Sequence, residues 1–171
     1  VKTPGEKIFP YVSQNLDDII TVEDQELVVA FLDMVESHKM VVENSGLLTV
    51  AALKQLDVKN KKVVSILSGG NMDVITMSSV VQQGLVLRDR IFTVSVLLPD
   101  KPGELTRVSD VIAKQNGNVI KLEHNQFVSI NRNAAVELTI TMEAYGTEHK
   151  NQIIKSLQEN GYQPRLVRAS I

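Results

Sequence analysis

IFTVSVLLPDKPGELTRVSDVIAKQNGNVIKLEHNQF, residues 91–127, sets the reading of the C-terminal half. Residues 91–98 form a β-branched apolar run, and Pro102 and Gly103 then turn the chain. Residues 104–115 place Leu105, Val108, Val111 and Ile112 on one helical face, and residues 119–127 return to strand composition. Downstream, Val136, Leu138, Ile140 and Met142 alternate with Glu137, Thr139, Thr141 and Glu143, the period of a strand buried on one face only. A helix over 147–160 carries Ile153, Ile154 and Leu157, Gly161 suits a left-handed stop, and 163–168 is a last short strand. The order is βαββαβ. It predicts a ferredoxin-like, split-βαβ antiparallel sheet with two helices on one face and water on the other.

Upstream the pattern differs. VKTP (1–4) reads as a strand entered midway, with no initiating Met, and suggests a fragment. Residues 5–15 read as a short helix and DIITV (18–22) as a strand. Thr21 and Asp24 resemble a capping box opening a helix to about His38 through Leu27, Phe31, Met34 and Val35. MVVE (40–43) is extended, 45–56 helical, and KVVSIL (62–67) a strand of the kind buried on both faces. Ser68, Gly69 and Gly70 break it, and Asn71 caps a helix ending at Gly84. Strand alternating with helix predicts parallel βαβ units over residues 1–88 and a boundary near the charged LRDR linker (87–90), with the second domain at 89–171.

Composition narrows the function. The net charge of −2, with 18 basic and 20 acidic residues dispersed, offers no stripe for nucleic acid. With no Cys, disulfides and thiolate chemistry are excluded, a reducing cytoplasm fits, and no apolar run suggests a membrane span. His38, His124 and His149 are scattered, so no metal is assigned. The acidic pairs Asp17–Asp18 and Glu23–Asp24 fit helix starts.

Two segments are candidates for chemistry. LSGGN (67–71) brings bare backbone and a helix start to one point, which serves a ligand or simply makes a tight turn. LPDKPGEL (98–105) makes a strand-to-helix turn, and Asn118, which opens the next strand, is expected within reach of it.

VKTPGE, TVEDQEL, MVVENSGLLTVAAL and VVSILSGGNMD, spaced as they are over residues 1–86, resemble the closing portion of the threonine dehydratase and serine racemase group. Residues 91–168, through LPDKPGEL and Gly117-Asn118-Val119, resemble an ACT regulatory domain. The resemblance implies part of a tryptophan-synthase-β-like (fold type II) α/β domain followed by a ferredoxin-like ACT domain.

It implies pyridoxal 5'-phosphate as cofactor of the full-length enzyme, with Ser68 against the pyridine nitrogen and Gly69 and Glu43 beside it; Asn44 stands where relatives commonly have Pro. The Schiff-base Lys segment and the phosphate loop lie upstream in relatives. The chain alone is therefore expected to be inactive and not to retain the cofactor. In the ACT half the resemblance assigns effector binding to Asp100, Lys101, Pro102, Gly103, Leu105 and Asn118. The effector is an amino acid (isoleucine, valine, threonine or serine), bound where the loop meets a neighbouring subunit of a homo-oligomer. Two alternatives stay open: a serine-directed lyase, and a free-standing amino-acid-binding protein.

Overall fold

A computed structural model describes residues 5–125 and 136–169 and divides the chain into two compact units, 1–71 and 72–171. Residues 1–4, expected as a strand, and the last two residues of the strand expected over 119–127 lie outside the described residues.

In the first unit, helix α1 (Phe9–Asn15) buries no side chain. Helix α2 (Asp24–Asp33) continues as a π-turn over Met34–His38. A 3₁₀ turn (Asn44–Leu47) leads into α3 (Leu48–Ala52), and a second 3₁₀ turn covers Leu53–Gln55. Phe31, Leu32, Val42, Leu47 and Ala51 form a small aliphatic and aromatic core. The capping box sits two residues later than expected: the Glu26 carboxylate accepts the backbone N–H of Glu23 at 2.8 Å, so the helix opens at Asp24.

Among the described residues of this unit there are no parallel βαβ units of the kind expected. Neither 18–22 nor 62–67 is a strand, and Val64 is 90% and Ile66 72% exposed. Apolar β-branched composition favours a strand only where a neighbouring strand completes the ladder, and no described segment of this unit is one. The extended segments are held by side chains instead. Thr49 Oγ1 donates to Ile66 O at 3.0 Å, and Gln55 Nε2 to Thr21 O at 3.0 Å and to the Glu26 carboxylate.

The second unit opens with α4 (Val74–Leu87), capped by Asp73 rather than Asn71: the Asp73 carboxylate accepts the N–H groups of Ile75 and Thr76, both at 2.9 Å. Those bonds, the Thr76 hydroxyl's first, hold its pKa below the ordinary 3.8. The helix passes through buried Gly84 and ends three residues beyond it. Asp89, at φ 55°, makes the left-handed stop, with Asp89 N–H bonded to Val86 O and Arg90 N–H to Leu85 O. Asp tolerates that conformation because its short polar side chain bonds locally.

Then come β1 (Ile91–Leu98), α5 (Glu104–Lys114), β2 (Asn118–Asn125), β3 (Val136–Glu143), α6 (Thr147–Glu159) and β4 (Arg165–Val167). The sheet order is β2-β3-β1-β4 with antiparallel neighbours, the interleaved βαβ arrangement expected. Phe92, Val94, Val96, Leu138, Ile140 and Met142 meet Val108, Ile112, Ile153 and Leu157 from the helices. Leu105, expected on the buried face, is 43% exposed.

The opposite sheet face was expected to meet water, yet Thr93, Ser95 and Thr141 on the central strands are buried. Their hydroxyls are satisfied within the sheet: Thr93 Oγ1 pairs with Thr141 Oγ1 at 2.9 Å, and Ser95 donates to Glu137.

Candidate functional site

The first unit brings its three singled-out residues together. Glu43 follows buried Val42, and its backbone N–H lies 3.4 Å from Gly69 O. One carboxylate oxygen accepts the Ser45 hydroxyl at 2.7 Å, the other the Asn71 N–H at 3.2 Å. Glu43 therefore clasps the turn that carries Ser68.

Two glycines make the clasp sterically feasible. A Cβ on Gly46 would lie 1.7 Å from Ser68 O, and one on Gly69, at φ 79°, would lie 2.3 Å from the Glu43 carboxylate. Ser68 is exposed, and its hydroxyl has no partner among the described residues. A free hydroxyl on a braced turn fits the partner of a pyridine nitrogen. Gly46 was not singled out in the sequence; its position three residues after Glu43 was the available signal.

In the second unit, Gly103 takes φ 92° at the start of α5, a conformation that favours glycine, and the loop folds back through a Lys101 N–H to Pro99 O bond of 2.8 Å. Asp100, Lys101, Pro102, Gly103 and Leu105 are exposed, and Glu104 pairs with Arg107 at 2.9 Å. A groove of about 460 Å³ beside the loop is lined by Pro99, Glu104, Arg107, Asn160 and Tyr162. Burial, and then the Glu104 charge, push the Tyr162 hydroxyl up, partly offset by Arg107.

Asn118 is not within reach of this loop in one copy of the chain. In the sheet register Ile91 and Asn118 both lie opposite Glu143, whereas Leu98, which leads into the loop, lies opposite Val136. The eight-residue strand separates the two ends by roughly 23 Å. Helix α5 carries the chain back along the sheet before β2 begins.

At the Asn118 end, Asn118 Nδ2 donates to Glu143 Oε2 at 2.8 Å. His149 is structural. Its Nδ1 accepts the Tyr145 N–H at 3.0 Å, its Nε2 lies 2.5 Å from Gln115 O, and its ring stacks on Tyr145 at 4.7 Å. Among the described residues no three His, Cys, Asp or Glu come together, and no helix is long and apolar enough to cross a membrane.

A four-stranded antiparallel sheet in the order β2-β3-β1-β4 with two helices gives the second unit a ferredoxin-like, mixed α/β fold, and the first unit is largely helical. Known proteins give the particular kinship. The L-threonine ammonia-lyase of Geobacter sulfurreducens is 35% identical over 164 residues, covering 95% of this chain and 41% of that protein. The L-threonine ammonia-lyase of Thermotoga maritima is 32% identical over 168 residues, covering 98% and 42%. A solved protein of Bacteroides thetaiotaomicron has a TM-score of 0.33 and 23% identity over 46% of this chain and 48% of that one. No protein-family model matches. The chain is homologous to the C-terminal part of threonine ammonia-lyases and spans about two fifths of the length of these relatives.

Proposed function

We propose that the chain is the regulatory end of a pyridoxal-phosphate-dependent threonine ammonia-lyase, which converts L-threonine to 2-oxobutanoate and ammonia in the cytoplasm. The observation that carries this is homology to such enzymes along 95–98% of the chain. Residues 1–88 are read as the close of the catalytic domain, part of a fold type II α/β domain, and 89–171 as an ACT domain.

Bound pyridoxal phosphate supplies the electron sink for elimination. This chain contributes Ser68, whose neutral hydroxyl can donate to the pyridine nitrogen, Glu43, which braces the turn, and Gly69, which makes room for that carboxylate. The Schiff-base lysine lies outside residues 1–171, so the isolated chain neither catalyses nor holds the cofactor. A protein extended upstream to include that lysine should show imine absorbance with pyridoxal phosphate; its absence refutes the lyase reading.

The ACT unit binds an amino acid (isoleucine, valine, threonine or serine) through Asp100, Lys101, Pro102, Gly103, Leu105 and Asn118. Because the loop and Asn118 occupy opposite ends of one sheet, a ligand touching both requires a second copy related by a twofold axis. Asp100→Ala and Asn118→Ala should each abolish binding. An equimolar mixture, re-paired at random, should restore about a quarter of the sites, because half the dimers are mixed and each mixed dimer rebuilds one of its two. A mixture as inactive as its components refutes the shared site.

A further inference from the structure

Glu143, the last residue of β3, pairs in the sheet register with Asn118, the first of β2. Their side chains therefore leave the same face of the sheet side by side, and both are exposed. Asn118 Nδ2 donates to Glu143 Oε2 at 2.8 Å. A carboxylate only accepts hydrogen bonds, whereas a primary amide donates from its nitrogen and accepts at its oxygen. Asn118 can meet Glu143 in one orientation alone, with the nitrogen towards the carboxylate and Oδ1 turned away. Among the described residues that oxygen has no partner.

The turns that flank the pair are strapped together. Gln115 lies three residues before Asn118 and Tyr145 two after Glu143, and His149 joins them. Its Nδ1 accepts the Tyr145 N–H at 3.0 Å and its Nε2 lies 2.5 Å from Gln115 O. A backbone N–H only donates and a carbonyl oxygen only accepts, so the ring carries its proton on Nε2. Gly117 lets the first turn close tightly: a Cβ there would lie 2.7 Å from Ile112 Cγ2. Asn118 Oδ1 is thus aimed before any ligand arrives, which lowers the ordering cost of binding.

We infer that Glu143 is a positioning residue of the shared amino-acid site and sets the direction in which the ligand lies. By holding Asn118 Oδ1 outward it makes that side of the site an acceptor, which attracts the ligand's ammonium and repels its carboxylate. The carboxylate then belongs to the loop of the second copy, where Lys101 supplies a cation and the opening turn of α5 supplies backbone N–H groups. Glu104, the acid in that turn, is paired with Arg107 at 2.9 Å. Asp100, from the same loop, takes a second N–H of the ammonium. Neither half satisfies the ligand without the other. The inference rests on the sensing role proposed above and adds Glu143, which acts through Asn118.

The test is an NMR titration of the isotope-labelled chain with isoleucine, valine, threonine and serine, and with the des-amino carboxylic acid of whichever binds. It is repeated on Glu143→Gln and Glu143→Lys, both changes at an exposed side chain. Gln can turn either end of its amide to Asn118, which releases the orientation; Lys only donates, which turns the Asn118 nitrogen outward. Affinity for the amino acid should fall about tenfold in Glu143→Gln and further in Glu143→Lys. The des-amino acid has no ammonium to place and should bind neither variant more weakly than the unsubstituted chain. Unchanged backbone shifts at Leu138 and Ile140 establish that each variant is folded. Undiminished affinity in Glu143→Gln, or equal losses for the two ligands, overturns the positioning role and leaves the sensing role standing. No binding of any of the four amino acids to the unsubstituted chain overturns both.

Discussion

Replacing Asp89 tests how the start of the second unit's sheet is held. Its carboxylate accepts Lys150 Nζ at 2.7 Å and Thr147 Oγ1 at 2.8 Å, and the Lys150 and Asp89 side chains are 14% and 26% exposed. Hydrogen bonds to a charged group contribute about 1.5–3 kcal/mol each when desolvated, and partial exposure places these two at the low end. Asp89→Asn keeps one acceptor and the tolerance for φ 55°, and should cost about 1–2 kcal/mol. Asp89→Ala loses both bonds and strains the backbone, and should cost about 3–4 kcal/mol.

Burial, the largest single influence, pushes the Asp89 carboxyl up. Hydrogen bonds from Lys150 and Thr147 and the Lys150 charge together outweigh it, so its pKa lies below the ordinary 3.8. A depressed carboxyl stabilises the fold at pH above its unfolded value and loses that contribution as pH falls through the folded value. Native-state hydrogen exchange at the Val94 and Ile140 amides reads this unit alone. The deficit of Asp89→Asn should be constant at neutral pH and shrink below pH 3.8. Equal stability at neutral pH, or an undiminished deficit at about pH 2, refutes the reasoning.

Gly46→Ala drives a Cβ to 1.7 Å from the backbone oxygen of Ser68, which no rotamer change relieves. It should cost the first unit at least about 1–3 kcal/mol and lower exchange protection at Phe31 and Leu47. Gly70→Ala meets Val41 O at an ordinary 3.8 Å and should be near neutral, so equal effects of the two refute the packing described. Leu138→Ala empties a fully buried position of the central strand β3 and should cost about 2–5 kcal/mol in urea denaturation, whereas Leu97→Ala, 57% exposed, should cost well under 1.

The second half was legible because its signals are local. Alternation along 136–143 and the stripe of Val108, Val111 and Ile112 each identify a buried face without reference to distant residues. Gly161 stopped its helix as expected, at φ 85° with Tyr162 N–H closing onto Leu157 O. The first half was not legible in the same way. KVVSIL has strand composition, but a ladder depends on a partner that a single segment does not encode.

Helix ends show the same limit. The sequence offers Asn71 and Gly84 as terminators, yet Asp73 takes the first role through its bonds to Ile75 and Thr76, and Asp89 the second through its φ of 55° and the Asp89 N–H bond to Val86 O. The distance from loop to Asn118 was misjudged because closeness in sequence hides a reversal: α5, at about 1.5 Å per residue, spans roughly 16 Å back along the sheet. The family resemblance put Glu43 and Ser68 beside one cofactor, while the clasp of Glu43 on the Ser68 turn and its steric basis in Gly46 emerged only from the fold.

Calorimetric titration of the chain with isoleucine, valine, threonine and serine tests the sensing role most directly. A saturable heat with at least one of them, abolished by Asp100→Ala, is the predicted result. No heat from any of the four at millimolar concentration would contradict it.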